Sequence, residues 1–139
     1  MTTNALQLSV VSLLNGLTVD AKKTLRRGGT PLDVLRHLID ALPVAALVAD
    51  DRGQYVLTNA VASELTGYSA EELRRLSVWQ LTPGVNADEA ETLWRAFRQQ
   101  RAQSGDYQLL TKDGRVVTAK YAARANILPR LHVSLLERS

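Results

Sequence analysis

The stretch Asn59-Ala-Val-Ala-Ser-Glu-Leu-Thr-Gly-Tyr-Ser-Ala-Glu-Glu-Leu73 joins two strand-like segments to two short helices and contains their start and stop signals. Asn59 can cap a helix N-terminus, because its side-chain oxygen accepts a backbone N–H, and the next six residues fill that helix. Gly67 then supplies the left-handed residue that ends it. Ser69 begins the second helix with Glu72 three residues later, which is the spacing of a capping box. The stretch therefore predicts two short helices in succession.

Segments rich in apolar and β-branched residues lie on both sides of this stretch. Val44–Asp50 and Tyr55–Thr58 precede it and predict an antiparallel pair around a turn in which Gly53 takes a positive φ. Three later segments are also typical of strands: Tyr107–Thr111, Arg115–Ile127 and Arg130–Glu137. Because the helices fall between the second and third strands, the pattern predicts an α+β fold with a five-stranded antiparallel sheet and helices on one face.

Two further helices are indicated by their capping residues. Thr30-Pro31-Leu32-Asp33 is a start signal, and Pro43 stops the helix that follows. A short helical turn is predicted over Leu76–Leu81, and a long helix over Ala87–Gln103. The inner stripe of that long helix is predicted to comprise Ala90, Leu93, Trp94 and Phe97.

The N-terminal segment has helical periodicity over residues 4–27, with Asn4 as a candidate N-cap and a break or kink at Asn15-Gly16. Its apolar residues form a seam with a repeat of roughly 3.5 residues. The seam comprises Leu6, Val10, Leu13, Leu14 and Leu17. A seam this apolar must pack, so we predict that it pairs with a second copy of the chain, with packing on the domain's own sheet as the alternative.

In this order, the segments of residues 31–138 resemble a PAS domain. The matching pieces are the first strand pair, the 59–73 stretch, Ser77-Val-Trp-Gln-Leu-Thr-Pro83, the Lys112-Asp-Gly114 hairpin and the last strand. The resemblance implies a sensory and protein-interaction module of a bacterial-type signalling or regulatory protein, coupled to an output domain or a partner signalling protein. It also places flanking helices at dimer interfaces, so we expect a homodimer, with residues 1–30 as the dimerisation and signal-coupling extension and 31–139 as the PAS-like domain.

Composition limits the other function classes. The chain has 139 residues, about one domain, and no cysteine, which rules out disulfides, thiolate metal sites and cysteine nucleophiles. No apolar run approaches the roughly 20 residues of a membrane helix, so we expect a soluble, cytoplasmic protein. Residues 1–30 carry four basic residues and one acidic residue, whereas the rest carries thirteen of each. The basic cluster Lys22–Arg27 is placed where a helix dipole favours cations, so nucleic-acid binding is only an alternative.

Catalytic and metal-binding patterns are scarce. The chain has two histidines, His37 and His132, which lack ligand-spaced partners, so no metal site is predicted. His132 and Ser134 alternate on the same strand face, but no carboxylate is placed to complete a catalytic triad. We therefore predict that the protein is not an enzyme, with a small apolar-pocket α+β enzyme as the alternative.

A ligand pocket is predicted between the helices and the sheet, with plain hydrophobic core as the alternative. The candidate lining residues are Leu47, Asn59, Leu65, Trp79, Trp94, Phe97, Tyr121 and His132. The PAS resemblance implies that covalent flavin or chromophore attachment would need a cysteine, and that haem is commonly ligated from the long helix, which has no histidine here. No cofactor is therefore predicted and haem has little support, while a non-covalent flavin or a small organic ligand stays open.

Overall fold

Five antiparallel strands form a single sheet, which confirms the predicted strand content. The computed structural model describes residues 5–26 and 28–139, with their side chains except those of residues 19–26. The strands are β1 (Ala45–Ala49), β2 (Tyr55–Thr58), β3 (Ala102–Leu110), β4 (Val116–Leu128) and β5 (Leu131–Arg138), in the spatial order β2-β1-β5-β4-β3. The helices are α1 (Ala5–Arg26), α2 (Pro31–Asp40), α3 (Ala60–Thr66), α4 (Ala70–Leu73) and α5 (Ala87–Gln100), with a 3₁₀ turn at Val78–Leu81.

Helices cover the sheet on both faces, and strand β1 shows this most clearly. All five residues of β1 are buried. Ala46 and Val48 pack with α1 and α2 on what we call the outer face, whereas Ala45 and Leu47 pack under α3 and α4 on the inner face. A strand covered on both sides has no solvent-facing positions, which is why its sequence is continuously apolar. The helices between β2 and β3 thus lie on one face, as predicted, and the N-terminal helices cover the other.

The 59–73 stretch forms the two predicted short helices. The Asn59 side chain accepts the Ala62 N–H at 3.0 Å and so caps α3, and Gly67 ends that helix at φ 81°. Ser69 and Glu72 form the reciprocal capping box of α4, with bonds of 2.9 and 3.1 Å. Both helices are therefore determined by local sequence signals, because each orphaned end group meets a partner within a few residues.

Helix α1 runs without interruption through Asn15 and Gly16, so the predicted break is wrong. A Cβ on Gly16 would lie 2.4 Å from Leu38 Cδ2 of α2. The glycine therefore allows the Leu38 side chain of α2 to approach α1 closely. The candidate cap Asn4 and the side chains of the basic cluster Lys22–Arg27 lie outside the described residues.

The apolar seam of α1 packs mainly within its own chain. Leu6 and Leu13 are buried, and Val10 and Leu17 are half-buried against the same outer-face core, whereas Leu14 is exposed. Leu6 and Leu13, predicted to pair with a second copy, are thus occupied by α2 and the sheet. For these residues the structure shows the alternative, packing on the domain's own sheet. The outer face of the sheet is apolar, and burying it under α1 removes both surfaces from water.

Helix α5 ends at Gln100, earlier than the predicted Gln103. Arg101 has a positive φ of 69°, and β3 begins at Ala102, well before the predicted Tyr107. The additional strand residues pair with β4 along their whole length. Helix-favouring residues at the end of α5 therefore yield to strand pairing with a distant part of the chain.

Candidate ligand-binding site

A cavity of about 200 Å³ lies between α5, the 3₁₀ turn and the inner face of the sheet. Aromatic side chains form much of its wall: Tyr55, Trp79, Trp94, Phe97, Tyr107 and Tyr121. None of the described residues that line it carries a charged side chain. Leu93, predicted to lie on the inner stripe of α5, lines the cavity but is 61% exposed, so it lies at the mouth.

A few hydroxyl groups interrupt this apolar wall. The side chain of Tyr55 is buried, and its hydroxyl makes no hydrogen bond to any residue that the structure describes. Tyr107 and Thr82 bond to each other through their hydroxyls. Burial raises the pKa of Tyr55, and burial also raises the pKa of Tyr107 against the opposing effect of its bond to Thr82. Both phenols therefore stay protonated at neutral pH.

Trp94 is held in the wall by a polar cluster around Asp51. The Trp94 indole N–H donates to the Asp51 carbonyl at 2.9 Å, and the Asp51 carboxylate lies 2.8 Å from His132 Nε2 and 3.3 Å from Arg98 Nη1. The hydrogen bond with His132, followed by that with Arg98, lowers the pKa of Asp51. Because His132 Nδ1 accepts the Asn126 N–H at 2.9 Å, the imidazole proton is on Nε2 and is donated to Asp51.

Trp79, Trp94, Phe97 and Tyr121, four of the predicted pocket residues, line the cavity together. The other four are not on its wall. Leu47 is buried in the inner-face core, and Leu65 packs against that core, so neither faces the cavity.

Asn59 and His132, the other two candidates, are committed to structural hydrogen bonds. Asn59 Oδ1 accepts the N–H groups of Ala46 and Ala62 at 3.0 Å, and its Nδ2 donates to the carbonyls of Ile39 and Val44 at 2.9 Å. These four bonds use the whole capacity of the amide. The His132 ring meets the Trp94 ring edge to face, with 5.3 Å between the ring centroids, and does not line the cavity. Both of its ring nitrogens are already hydrogen-bonded. Neither side chain has a group left for a ligand.

Twelve cavity residues are absent from the prediction, and the five that carry a polar group are Tyr55, Thr82, Gln103, Tyr107 and Ser134. Ser134 shares a strand face with His132, a period-2 signal that was available in the sequence. The sequence predicts a helix at Gln103, whereas in the structure Gln103 lies on β3 opposite Ala123 of β4. Only the pairing of these strands shows that Gln103 reaches the cavity. The sequence places Tyr55 and Tyr107 on strands but does not show which face of the sheet each side chain occupies. Both faces are covered by helices, so burial alone does not distinguish them.

A family model for the PAS fold matches residues 34–125. The chain belongs to the PAS family. This confirms the resemblance seen in the sequence. No curated protein matches the chain. In the described part of this PAS domain, the helices are too short or too polar to cross a membrane.

Several solved structures are similar in fold. A domain of a sensory box sensor histidine kinase/response regulator from Geobacter sulfurreducens is 19% identical, covering 76% of this chain and 92% of its own, with a TM-score of 0.66. The PAS domain of an HTR-like protein from Haloarcula marismortui is 17% identical, covering 86% of this chain and 98% of its own, with a TM-score of 0.65. The PAS domain of a LuxR-family transcriptional regulator from Burkholderia thailandensis, in complex with ethanol, is 16% identical. It covers 73% of this chain and 94% of its own, with a TM-score of 0.59. At these identities the likeness shows the PAS fold.

Proposed function

We propose that this PAS domain is a sensory and interaction module of a signalling or regulatory protein, which binds a small ligand without a covalent bond. The ligand occupies the cavity between α5 and the sheet, and α1 passes the effect to an output domain or partner protein. The cavity supports this proposal because it is lined by apolar and aromatic groups with a few hydroxyls, the usual character of a small-molecule site.

Strand β5 is the observation that carries the proposal. Ser134 and Leu136 line the cavity, whereas Val133 and Leu135, which alternate with them, pack in the outer-face core with α1 and α2. A displacement of β5 by a ligand therefore acts directly on the helix packing of the other face. A ligand that binds one arrangement of this packing better shifts the population toward it.

Native mass spectrometry of the purified chain, together with an absorbance scan, tests the ligand part. We expect a bound compound of low mass, or an empty protein that takes one up, and no stoichiometric flavin or haem absorbance. Hydrogen exchange should then slow or quicken in α1 when the cavity is filled. Exchange in α1 that does not respond to an occupied cavity would contradict the transmission step.

We further propose that the domain dimerises through a stripe on α1 that shares only Leu14 with the predicted seam. The stripe consists of exposed apolar residues spaced three apart: Leu8 (57% exposed), Val11 (54%) and Leu14 (41%). It lies on the side of α1 turned away from the buried Leu6 and Leu13. An isologous contact needs only one such patch, and a two-fold pair of helices would remove these side chains from water.

Sedimentation velocity of a charge variant tests the dimer. Leu8→Glu with Val11→Glu should give a folded monomer where the wild type is a dimer, because each copy places two charges in the contact. Val116→Glu is the matched control, since Val116 is similarly exposed at 51% but lies on β4. A monomeric wild type, or a control that dissociates equally, would show that the α1 stripe is not the dimer contact.

A further inference from the structure

We infer that the cavity takes a neutral, single-ring aromatic compound that carries a hydroxyl group, that is, a small substituted phenol. This inference rests on the proposed function, because it names the ligand class of the same cavity. Four properties of the cavity lead to it: its volume, its lack of charge, its aromatic wall and an unpartnered hydroxyl.

The volume of the cavity sets the size of the ligand. An engineered apolar cavity of about 150 Å³ holds benzene, and sites for drug-sized ligands begin near 300 Å³. At about 200 Å³, this cavity holds one ring with one or two small substituents. A three-ring flavin or a haem would require the cavity to widen.

The lining sets the charge of the ligand. No described residue on the wall is charged, and the nearby Asp51 carboxylate and Arg98 guanidinium pair with each other at 3.3 Å. A carboxylate or ammonium group that entered the cavity would lose its water without gaining a counter-ion, which is costly. The ligand is therefore neutral.

The arrangement of the aromatic side chains favours a ring. Tyr107 and Tyr121 meet edge to face with centroids 5.9 Å apart, and Trp94 and Phe97 meet at 5.3 Å. All four side chains line the cavity. A planar ligand can extend these contacts in offset or edge-to-face geometry.

The hydroxyl of Tyr55 calls for a polar group on that ring. Tyr55 is 5% exposed and lines the cavity, and its hydroxyl has no partner among the described residues. The Tyr55 hydroxyl is not among the fully enclosed polar atoms, so it is open to the cavity, and a ligand that displaces water from it without replacing the hydrogen bond loses affinity. The neighbouring hydroxyl of Tyr107 is already bonded to Thr82. A single ligand hydroxyl, which both donates and accepts, completes the Tyr55 position.

Isothermal titration calorimetry of the full chain with three matched compounds tests the inference. Toluene, p-cresol and p-toluate share one ring and one methyl group and differ in having no polar group, a hydroxyl or a carboxylate. We expect p-cresol to bind most tightly, toluene about fivefold more weakly, as for one net hydrogen bond, and p-toluate more weakly still.

Tyr55→Phe removes only the hydroxyl, so p-cresol should lose its advantage over toluene while toluene binding is unchanged. Tyr68→Phe is the control, since Tyr68 is outside the cavity lining, and it should leave both affinities at the wild-type value. Equal binding of p-cresol and toluene by the wild type, or tightest binding of p-toluate, overturns the phenol class. If none of the three binds while native mass spectrometry shows another retained compound, the class is wrong but the sensory function stands. If no compound is retained or bound, both fail.

Discussion

Replacing Asn59 by alanine should destabilise the domain far more than the loss of an ordinary helix cap. Asn59 is 4% exposed and joins three parts of the chain, because its amide bonds to the end of α2, the start of β1 and the first turn of α3. The alanine variant loses all four side-chain bonds at once. Water has little access to the backbone groups that are left behind.

The loss of stability can be summed from the hydrogen bonds that each former partner of Asn59 loses or keeps. Loss of the α3 cap costs about 1 kcal/mol, and leaving the Ala46 N–H buried without this acceptor costs about 1–3 kcal/mol. The Ile39 carbonyl still accepts the Leu42 N–H at 3.1 Å, so the two carbonyls together add only about 1 kcal/mol. The free energy of unfolding should therefore fall by about 3–5 kcal/mol, a large part of the 5–15 kcal/mol typical of a domain.

Asn86 provides the matched control, because it is also an asparagine N-cap but lies at an exposed helix start. It accepts the Glu89 N–H at 2.8 Å at the beginning of α5. In urea unfolding followed by tryptophan fluorescence and circular dichroism, Asn86→Ala should cost about 1 kcal/mol. Asn86→Asp keeps the cap but replaces the 3.0 Å bond from Asn86 Nδ2 to Glu89 Oε1 by repulsion between two exposed carboxylates, so it should cost only about 0.5 kcal/mol. Asn59→Asp sets a buried carboxylate against the carbonyls of Ile39 and Val44 and should destabilise strongly.

The reasoning is refuted if Asn59→Ala costs no more than Asn86→Ala. It is equally refuted if Asn59→Asp costs no more than Asn86→Asp. Either result would mean that the buried bonds of Asn59 contribute nothing beyond the cap, and that the joined ends of α2 and β1 are held by packing alone.

Two further predictions concern protonation and can be measured by NMR. Glu72 should titrate near pH 2 in the folded protein, because the Lys112 ammonium at 2.7 Å, followed by the Ser69 N–H, lowers its pKa from 4.5 to about 2. The unfolded state then binds more protons, so stability should fall as the pH drops from about 4.5 to 2; Lys112→Ala should raise the Glu72 pKa, and a wild-type value near 4.5 would contradict the pairing. The nitrogen shifts of the neutral His132 imidazole should place its proton on Nε2, since Nδ1 accepts the Asn126 N–H; an Nδ1–H tautomer would contradict the assigned network.

Features whose partners lie within a few residues were predictable from the sequence. The Asn59 cap, the Gly67 stop and the Ser69 capping box all form as their spacing indicates. The order of elements likewise indicated the PAS fold. Four of the six aromatic residues on the cavity wall are among the pocket residues predicted from the sequence, because large apolar side chains on helices and strands of this fold converge in the interior.

Features that depend on distant partners were decided by the tertiary structure. Gly16 reads as a helix breaker, but the approach of Leu38 from another helix makes it a packing residue. Asn59 and His132 are predicted to contact a ligand, yet backbone groups and a carboxylate far along the chain use their bonding capacity. The exposed stripe of α1 and the unpartnered hydroxyl of Tyr55 emerge in the same way. Local spacing determines the capping of a helix, whereas only the packing of remote segments decides which polar and apolar groups remain without a partner.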